Sequence, residues 1–229
     1  MKYTIAEAMK KTDNPGSGII VGKSSDGKSL LTACFICCSS ADSLHRRFIE
    51  DGGGVSIQPT AENNSAYIYQ PVLTFENKVL MGNSAHIERV YTALSEGKSF
   101  SDAAKADGYT SDMKVPRITA LVDIHGGDFD VDMRLSKPIS EDGGVIRENF
   151  HLSDIRPGTA FMLTMYTGEY GYARPFEGDP VLLQYDGSIF DVVADIWENM
   201  NGLSRVSLWV RETDMISHRA VSRIINRNK

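Results

Sequence analysis

Short runs of apolar and β-branched residues recur along the first third of the chain, and Gly, Asp, Asn and Pro separate most of them. Runs of this length between such residues are typical of β-strands joined by turns. The pattern predicts strands at 18–22, 30–38, 53–57, 66–72 and 78–82. We therefore expect the first third of the chain to form antiparallel sheet.

The next segment has a helical pattern, because its apolar residues recur at three- and four-residue spacing. These residues are Ile87, Val90, Tyr91 and Leu94. The spacing predicts an amphipathic helix that Ser84 caps and that ends at Gly97. A second helix is predicted over 99–108, between a serine and a glycine. Both helices are expected to pack on one face of a sheet.

The second half of the chain again has strand character, with a helix at 188–200. Further strands are predicted at 117–126, 129–136, 158–168 and 205–212. The first two are expected to form a hairpin through Gly126 and Gly127, and the segment 216–227 fits either a strand or a helix. Because no repeat or linker divides the chain, we predict one α+β domain over residues 1–229, with two helix groups covering stacked sheets.

Composition and charge narrow the classes of function. The 229 residues are 41% hydrophobic and 24% charged, which is the balance of a globular protein with a sizeable core. The net charge of −6 offers no basic field for a nucleic acid, so none is expected as a partner. A small anionic ligand stays compatible with this charge, because a few local arginines suffice to bind it.

The cysteines and the apolar stretches indicate where the protein works. No stretch of signal-peptide or membrane-spanning type is present, which predicts a cytoplasmic protein without a membrane partner. Cys34, Cys37 and Cys38 give no disulfide framework, and we interpret them as buried strand thiols, with a redox or metal role as the alternative. His45 is interpreted as a surface turn residue, and the other histidines are scattered, so neither a metal nor a cofactor is predicted.

Several segments occur in an order that matches a known family. They are GIIVGKSSDGKS at 18–29, FICCSSADSLHRRFIED at 35–51, AYIYQPV at 66–72, the turn at Asn83, VPRITALVD at 115–123, YTGEYGYARPFEGDP at 166–180 and RVSLWVRETD at 205–214. As an ordered set they resemble the archaeal-type IMP cyclohydrolases. The resemblance implies a four-layer αββα sandwich of two mainly antiparallel sheets flanked by helices, similar to the N-terminal-nucleophile (Ntn) hydrolases.

The implied activity is a ring closure in purine nucleotide biosynthesis. An enzyme of the hydrolase class that acts on a cyclic amidine would convert 5-formamidoimidazole-4-carboxamide ribotide to inosine monophosphate (IMP), with loss of water. The expected partner is this small purine ribotide, and the sequence is compatible with a homo-oligomer. Two alternatives stay open: a diverged purine-nucleotide-binding relative without catalysis, and an amide hydrolase that uses an internal Cys, Ser or Thr on the same fold.

The resemblance also implies the site residues. Arg46, Tyr69 and Asn83 match catalytic positions, while Lys23 and Arg117 match substrate-binding positions. Each has a structural alternative: a solvated turn arginine, a core tyrosine, a helix cap, an exposed strand-end lysine and an arginine paired with an acid. Strand alternation would place Tyr67 and Tyr69 on the same face, so the sequence does not choose between them.

The chain departs from the family pattern at two places. Where the family has an arginine-rich run, residues 38–46 retain only Arg46 of that set. The glutamate that the family carries before its Pro-Arg-Ile motif is missing, and Asp112 is the candidate that replaces it from another backbone position.

Overall fold

The computed structural model describes residues 2–13, 15–38, 44–60, 68–110, 112–139, 143–167 and 174–228. The strands of the described chain are β1 (Tyr3–Thr4), β2 (Ser17–Lys23), β3 (Ser29–Cys37), β4 (Arg46–Asp51), β5 (Gly54–Pro59), β6 (Val72–Phe75), β7 (Lys78–Gly82), β8 (Arg117–His125), β9 (Asp128–Pro138), β10 (Val145–Leu152), β11 (Thr159–Thr164), β12 (Tyr166–Thr167), β13 (Arg174–Pro175), β14 (Val181–Gln184), β15 (Arg205–Asp214) and β16 (Ala220–Asn226). The helices are α1 (Ile5–Lys11), α2 (His86–Ser95), α3 (Phe100–Ala103), which a 3₁₀ turn at Ala104–Asp107 continues, and α4 (Ile189–Asn199).

The strands form two seven-stranded sheets and a small ribbon. The first sheet has the order β1-β14-β11-β2-β3-β15-β16, and the second has the order β10-β9-β8-β7-β6-β5-β4. Neighbouring strands are antiparallel except β1 and β14, which are parallel. Four of the five strands predicted for the first third are therefore confirmed as antiparallel, but they divide between two sheets.

Apolar side chains fill three layers between these elements. One cluster lies between the sheets and includes Ile19, Phe48, Val131 and Trp209. A second packs α1 and α4 on the outer face of the first sheet, and a third packs α2 and α3 on the outer face of the second sheet. Because β3 is covered on both faces, its sequence is mostly apolar, with alternate apolar side chains entering the first and second clusters. The layers run helix, sheet, sheet, helix, which confirms the α+β class.

The hairpin and most of the helices agree with the sequence prediction. Gly126 and Gly127 join β8 to β9 with φ values of 57° and 79°, which favour glycine. The predicted helices at 188–200 and 99–108 begin at the side-chain caps Ser188 and Ser99, although the second is only one α-turn followed by a 3₁₀ turn. The ambiguous segment at 216–227 contains a strand, β16.

Two local predictions are wrong, and one helix was not predicted. The strand expected at 66–72 is absent from the described part of that range up to Pro71, since β6 begins at Val72. Helix α2 begins after Ala85, and Ser84 does not cap it, because the Ser84 hydroxyl hydrogen-bonds the side chain of His86. Helix α1 was not predicted, although Thr4 and Glu7 form a capping box there.

No described helix combines the length and apolar character needed to cross a membrane.

Candidate active site

A pocket of about 660 Å³ opens at one end of the sandwich, where both sheets contribute walls. Its volume is within the range of roughly 300–1,000 Å³ that is usual for small-molecule sites. The first sheet supplies the start of β2, the end of β3 and the residues after β11. The second supplies the start of β4, the segment before β6, the β7–α2 turn and the segment before β8. Segments distant in the sequence therefore meet at one site.

Four of the five residues proposed from the sequence line this pocket: Arg46, Tyr69, Asn83 and Arg117. The fifth, Lys23, does not. It lies at the far end of β2 from Ser17, about 20 Å away at the usual rise per strand residue. Tyr67, the alternative to Tyr69, lies outside the described residues.

Lys23 has a structural environment of its own. Its side chain is only 8% exposed, and its ammonium group forms an ion pair with Asp128 and lies over the ring of Phe129. This cation therefore neutralises a carboxylate on the neighbouring sheet. The structure does not bring Lys23 together with the other proposed site residues.

Tyr69 is a buried phenol beside a cation. It is 6% exposed, and its backbone carbonyl accepts a hydrogen bond from Ile57, which attaches the segment before β6 to β5. Burial raises the pKa of the phenol well above its usual range, although the charge of Arg46 and a hydrogen bond with Ser17 act in the opposite direction. At neutral pH the hydroxyl is therefore protonated and acts as a hydrogen-bond donor or acid rather than as a base.

Asn83 uses its side-chain amide to hold the segment that leads into β8. Its Nδ2 donates to the carbonyl of Pro116 at 2.9 Å, and its Oδ1 accepts from the backbone N–H of Ile118 at 3.0 Å. These two bonds flank Arg117 on both sides. Asn83 therefore fixes the backbone of Arg117. It does not cap α2, and its side-chain amide lines the pocket.

Arg117 and Arg89 converge on one backbone carbonyl, that of Asp107. The carboxylate of Asp107 is engaged elsewhere, because it accepts hydrogen bonds from Ser136 and from the backbone of Tyr109 and pairs with Arg134. Among the described residues, neither Arg89 nor Arg117 forms a salt bridge. The alternative of an acid-paired Arg117 is therefore not what the structure shows.

The pocket is lined by cations. Its lining includes Arg46, Arg89, Lys114 and Arg117, and it includes no Asp or Glu among the residues that the structure describes. In a chain with a net charge of −6, this is a marked local excess of positive charge. The N-terminus of α2 opens onto the same pocket, and no side chain caps it. The positive end of a helix dipole and guanidinium groups both favour an anionic ligand.

His86 lines the pocket as well, a position that the sequence pattern does not predict. Its Nδ1 lies 2.6 Å from the hydroxyl of Ser84, and its Nε2 lies 2.7 Å from the hydroxyl of Thr119. Burial lowers the pKa of His86 to about 3, and the neighbouring charges of Arg117 and Arg89 contribute in the same direction. The imidazole is therefore neutral at physiological pH.

The remaining candidates from the sequence are Asp112, His45 and the three cysteines. Asp112 is exposed, accepts a hydrogen bond from Thr110 and does not line the pocket, and His45 is exposed, as predicted. Cys34 and Cys37 are buried, as predicted, whereas Cys38 is half-buried and lines the pocket together with Cys37. Burial raises the pKa of Cys37 to about 12, so its thiol is neutral.

An open pocket with cationic walls, a neutral phenol and a neutral imidazole is chemically suited to a small anionic ligand, and it lies in a protein of the α+β class. Comparison with known proteins agrees with this class. The family model described as IMP cyclohydrolase-like protein matches residues 14–216, and the chain belongs to that family. No curated protein matches the chain. The family indicates an enzyme of the hydrolase type with a function related to IMP cyclohydrolase.

Proposed function

We propose that the protein is an IMP cyclohydrolase, which closes the ring of 5-formamidoimidazole-4-carboxamide ribotide to give IMP and water. The observation that carries the proposal is the pocket, which gathers Arg46, Tyr69 and Arg117 within cationic walls of a size suited to a ribotide. Family membership supports the same reaction class.

The 5′-phosphate is assigned to the corner formed by Arg89, Arg117 and the start of α2. The two guanidinium groups meet at the carbonyl of Asp107 without a carboxylate partner, so they can take an anionic ligand without breaking a salt bridge. The positive end of the α2 dipole adds to this attraction, although the N–H groups of Ile87 and Glu88 already donate to the carbonyls of Ser84 and Ala85. This grip orients the rest of the ribotide along the pocket.

The chemistry is assigned to Tyr69 and Arg46. In the reaction the carboxamide nitrogen attacks the formyl carbon, negative charge develops on the formyl oxygen, and that oxygen leaves as water with two hydrogens from nitrogen. A protonated phenol at Tyr69 donates to this oxygen, and the nearby charge of Arg46 stabilises it. Asn83 acts by holding Arg117 in place.

We further propose that residues 1–229 form a single domain with a sandwich related to the Ntn hydrolases, which two stacked antiparallel sheets with helices on both outer faces support. An amide hydrolase that uses Cys37 is disfavoured, because the reactive form of cysteine is the thiolate and burial keeps this thiol neutral.

The test is direct. Purified protein is incubated with the formylated ribotide, and IMP formation is compared with the uncatalysed reaction. We expect a large acceleration that Arg117→Gln reduces and that the matched control Arg223→Gln, in which an exposed arginine over the ring of Phe190 is changed, retains. IMP formation at the uncatalysed rate would reject the proposal. Calorimetric binding of the ribotide in that case would instead identify a non-catalytic relative.

A further inference from the structure

A chain of three side chains leads from the pocket into the second sheet. The Ser84 hydroxyl lines the pocket and lies 2.6 Å from Nδ1 of His86, whose Nε2 lies 2.7 Å from the Thr119 hydroxyl. His86 is 1% exposed and Thr119 is 2% exposed, so neither is shared with bulk water. The hydroxyl of Ser84 does not cap α2.

The proposed hydrogen-bond chain needs one of the two neutral forms of the ring. A neutral imidazole has one N–H donor and one acceptor nitrogen, and the distances to Ser84 and Thr119 fit either form. The backbone of Ile118 raises the pKa of His86, and Nε2 lies on the side of the Ile118 carbonyl, since a Cβ at Gly82 would come within 3.4 Å of both. We therefore assign the hydrogen to Nε2, so that Nδ1 accepts from the Ser84 O–H.

This orientation leaves the oxygen lone pairs of Ser84 for a ligand. The pocket otherwise offers mainly donors: Arg89, Lys114 and Arg117 carry only N–H groups, and the Tyr69 phenol is protonated. The Oδ1 of Asn83 already accepts from the backbone. A ring closure also requires an acceptor for hydrogens that leave nitrogen, and the described lining contains no carboxylate.

We propose that Ser84 is a further catalytic residue, which accepts a hydrogen bond from the substrate's carboxamide N–H and takes its proton, with His86 as the positioning residue behind it. This inference rests on the proposed ring closure. As the carboxamide nitrogen bonds to the formyl carbon, its proton passes to Ser84 Oγ and the Ser84 proton passes to Nδ1 of His86. The imidazolium then returns one proton through Ser84 to the formyl oxygen. The same route carries the second nitrogen proton to the departing hydroxyl, so Ser84 and His86 end unchanged.

Substrate binding assists this transfer. Part of the lowering of the His86 pKa comes from Arg117 and Arg89, which are the groups assigned to the phosphate. A bound dianion offsets their charge and makes the imidazole a better proton acceptor when the substrate is in place. Phosphate binding and the basicity of His86 are thereby coupled by electrostatic interaction.

The experiment compares Ser84→Ala with Ser95→Ala, a control on the same helix whose hydroxyl bonds only the carbonyl of Tyr91 in the part of the chain that the structure describes. We expect Ser84→Ala to lower kcat about 10²-fold, the scale of general acid–base catalysis, and Ser95→Ala to behave as the wild type. His86→Phe, which cannot accept from Ser84, should lower kcat with little change in KM, whereas a purely structural role would lower the melting temperature alone. Wild-type kcat in Ser84→Ala would overturn the inference.

Calorimetry with two probes separates this inference from the proposed reaction. The first probe is 5-aminoimidazole-4-carboxamide ribotide, which keeps the carboxamide but has no formyl group and cannot cyclise, and the second is inorganic phosphate. Loss of one hydrogen bond should weaken the first probe by about 5- to 10-fold in Ser84→Ala and leave the second unchanged. If the wild type forms no IMP, the proposed reaction fails, but this selective loss still supports the Ser84 contact. Equal affinities in Ser84→Ala and the wild type would refute it.

Discussion

Arg89 and Arg117 donate hydrogen bonds to the same backbone oxygen, the carbonyl of Asp107. Two positive charges held at one uncharged acceptor repel each other. Burial is the main reason that the pKa of Arg117 is lowered, and the charge of Arg89 adds to it, although the carboxylate of Asp107 opposes both. An anion bound between the two guanidinium groups would relieve this repulsion.

We therefore expect inorganic phosphate to stabilise the folded protein. At a concentration of 100 times its dissociation constant, a ligand of the folded state contributes about 2.7 kcal/mol. The melting temperature in phosphate, compared with chloride at equal ionic strength, should rise in the wild type and in Arg223→Gln, and much less in Arg89→Gln. An equal rise in Arg89→Gln would show that the anion binds elsewhere.

Tyr69→Phe tests the role of the phenol. The substitution removes only the hydroxyl, so packing is largely kept, and we expect turnover to fall by roughly 10²-fold or more while ribotide affinity changes less. Steady-state IMP formation and the melting temperature are measured together. Tyr166→Phe, in the same pocket, provides a matched control. Wild-type kinetics in Tyr69→Phe would remove this residue from the mechanism and leave it as a core aromatic.

Arg46 should respond differently from Tyr69. Because its guanidinium is assigned to a developing charge on the substrate, Arg46→Ala should lower both affinity and turnover, and Arg46→Lys should restore only part of each, since an ammonium lacks the planar fork of donors. The parallel variant Arg47→Ala, at the next strand position and outside the pocket lining, should have little effect on kinetics. Full activity in Arg46→Ala would count against the assignment.

His86 predicts a pH dependence of stability. Its pKa is about 3 in the folded protein and near 6.5 in the unfolded chain, so the unfolded state binds more protons between these values. The contribution of the neutral imidazole to the free energy of unfolding is therefore fully present above pH 6.5 and is lost as the pH falls toward 3. Burial, Arg117 and Arg89 cause the shift, while Asp107 opposes it.

Urea unfolding at pH 7 and pH 4.5 measures this effect. Between pH 7 and pH 4.5, the free energy of unfolding should fall by about 2–3 kcal/mol more in the wild type than in His86→Gln. The expected slope is about 1.36 kcal/mol for each pH unit below 6.5. Titrating carboxylates affect both proteins alike, so the difference isolates the imidazole. Equal losses in the two proteins would mean that His86 is not held neutral.

Periodicity and turn residues were sufficient to predict the long, regular elements, as α4 and the β8–β9 hairpin illustrate. They were insufficient for β4 and β10, because edge strands with one exposed face carry charged and polar residues and show little apolar alternation. Helix α1 was missed because seven residues give too short a period, although its capping box was visible in the sequence.

Some residues of the site were predictable from the sequence, and others were not. The resemblance placed Arg46, Tyr69 and Arg117 at positions that the fold brings together. Arg89 and His86 could not be found from the sequence, because a helix pattern distinguishes apolar from polar faces but does not say which polar residue borders a pocket. Lys23 follows a glycine at a strand end, as an anion-binding residue could, and only the partner strand shows that it pairs with Asp128.

The two walls of the pocket belong to different sheets, and the side chains that hold those sheets apart lie deeper in the molecule, at positions such as Met133, Leu163 and Trp209. The width of the pocket therefore depends on the thickness of the apolar cluster between the sheets, including these deeper residues, which do not line the pocket. Exchanges among larger and smaller residues at these positions can widen or narrow the mouth without altering any group that contacts a ligand. Ligand size and ligand chemistry are thus adjustable independently in this architecture.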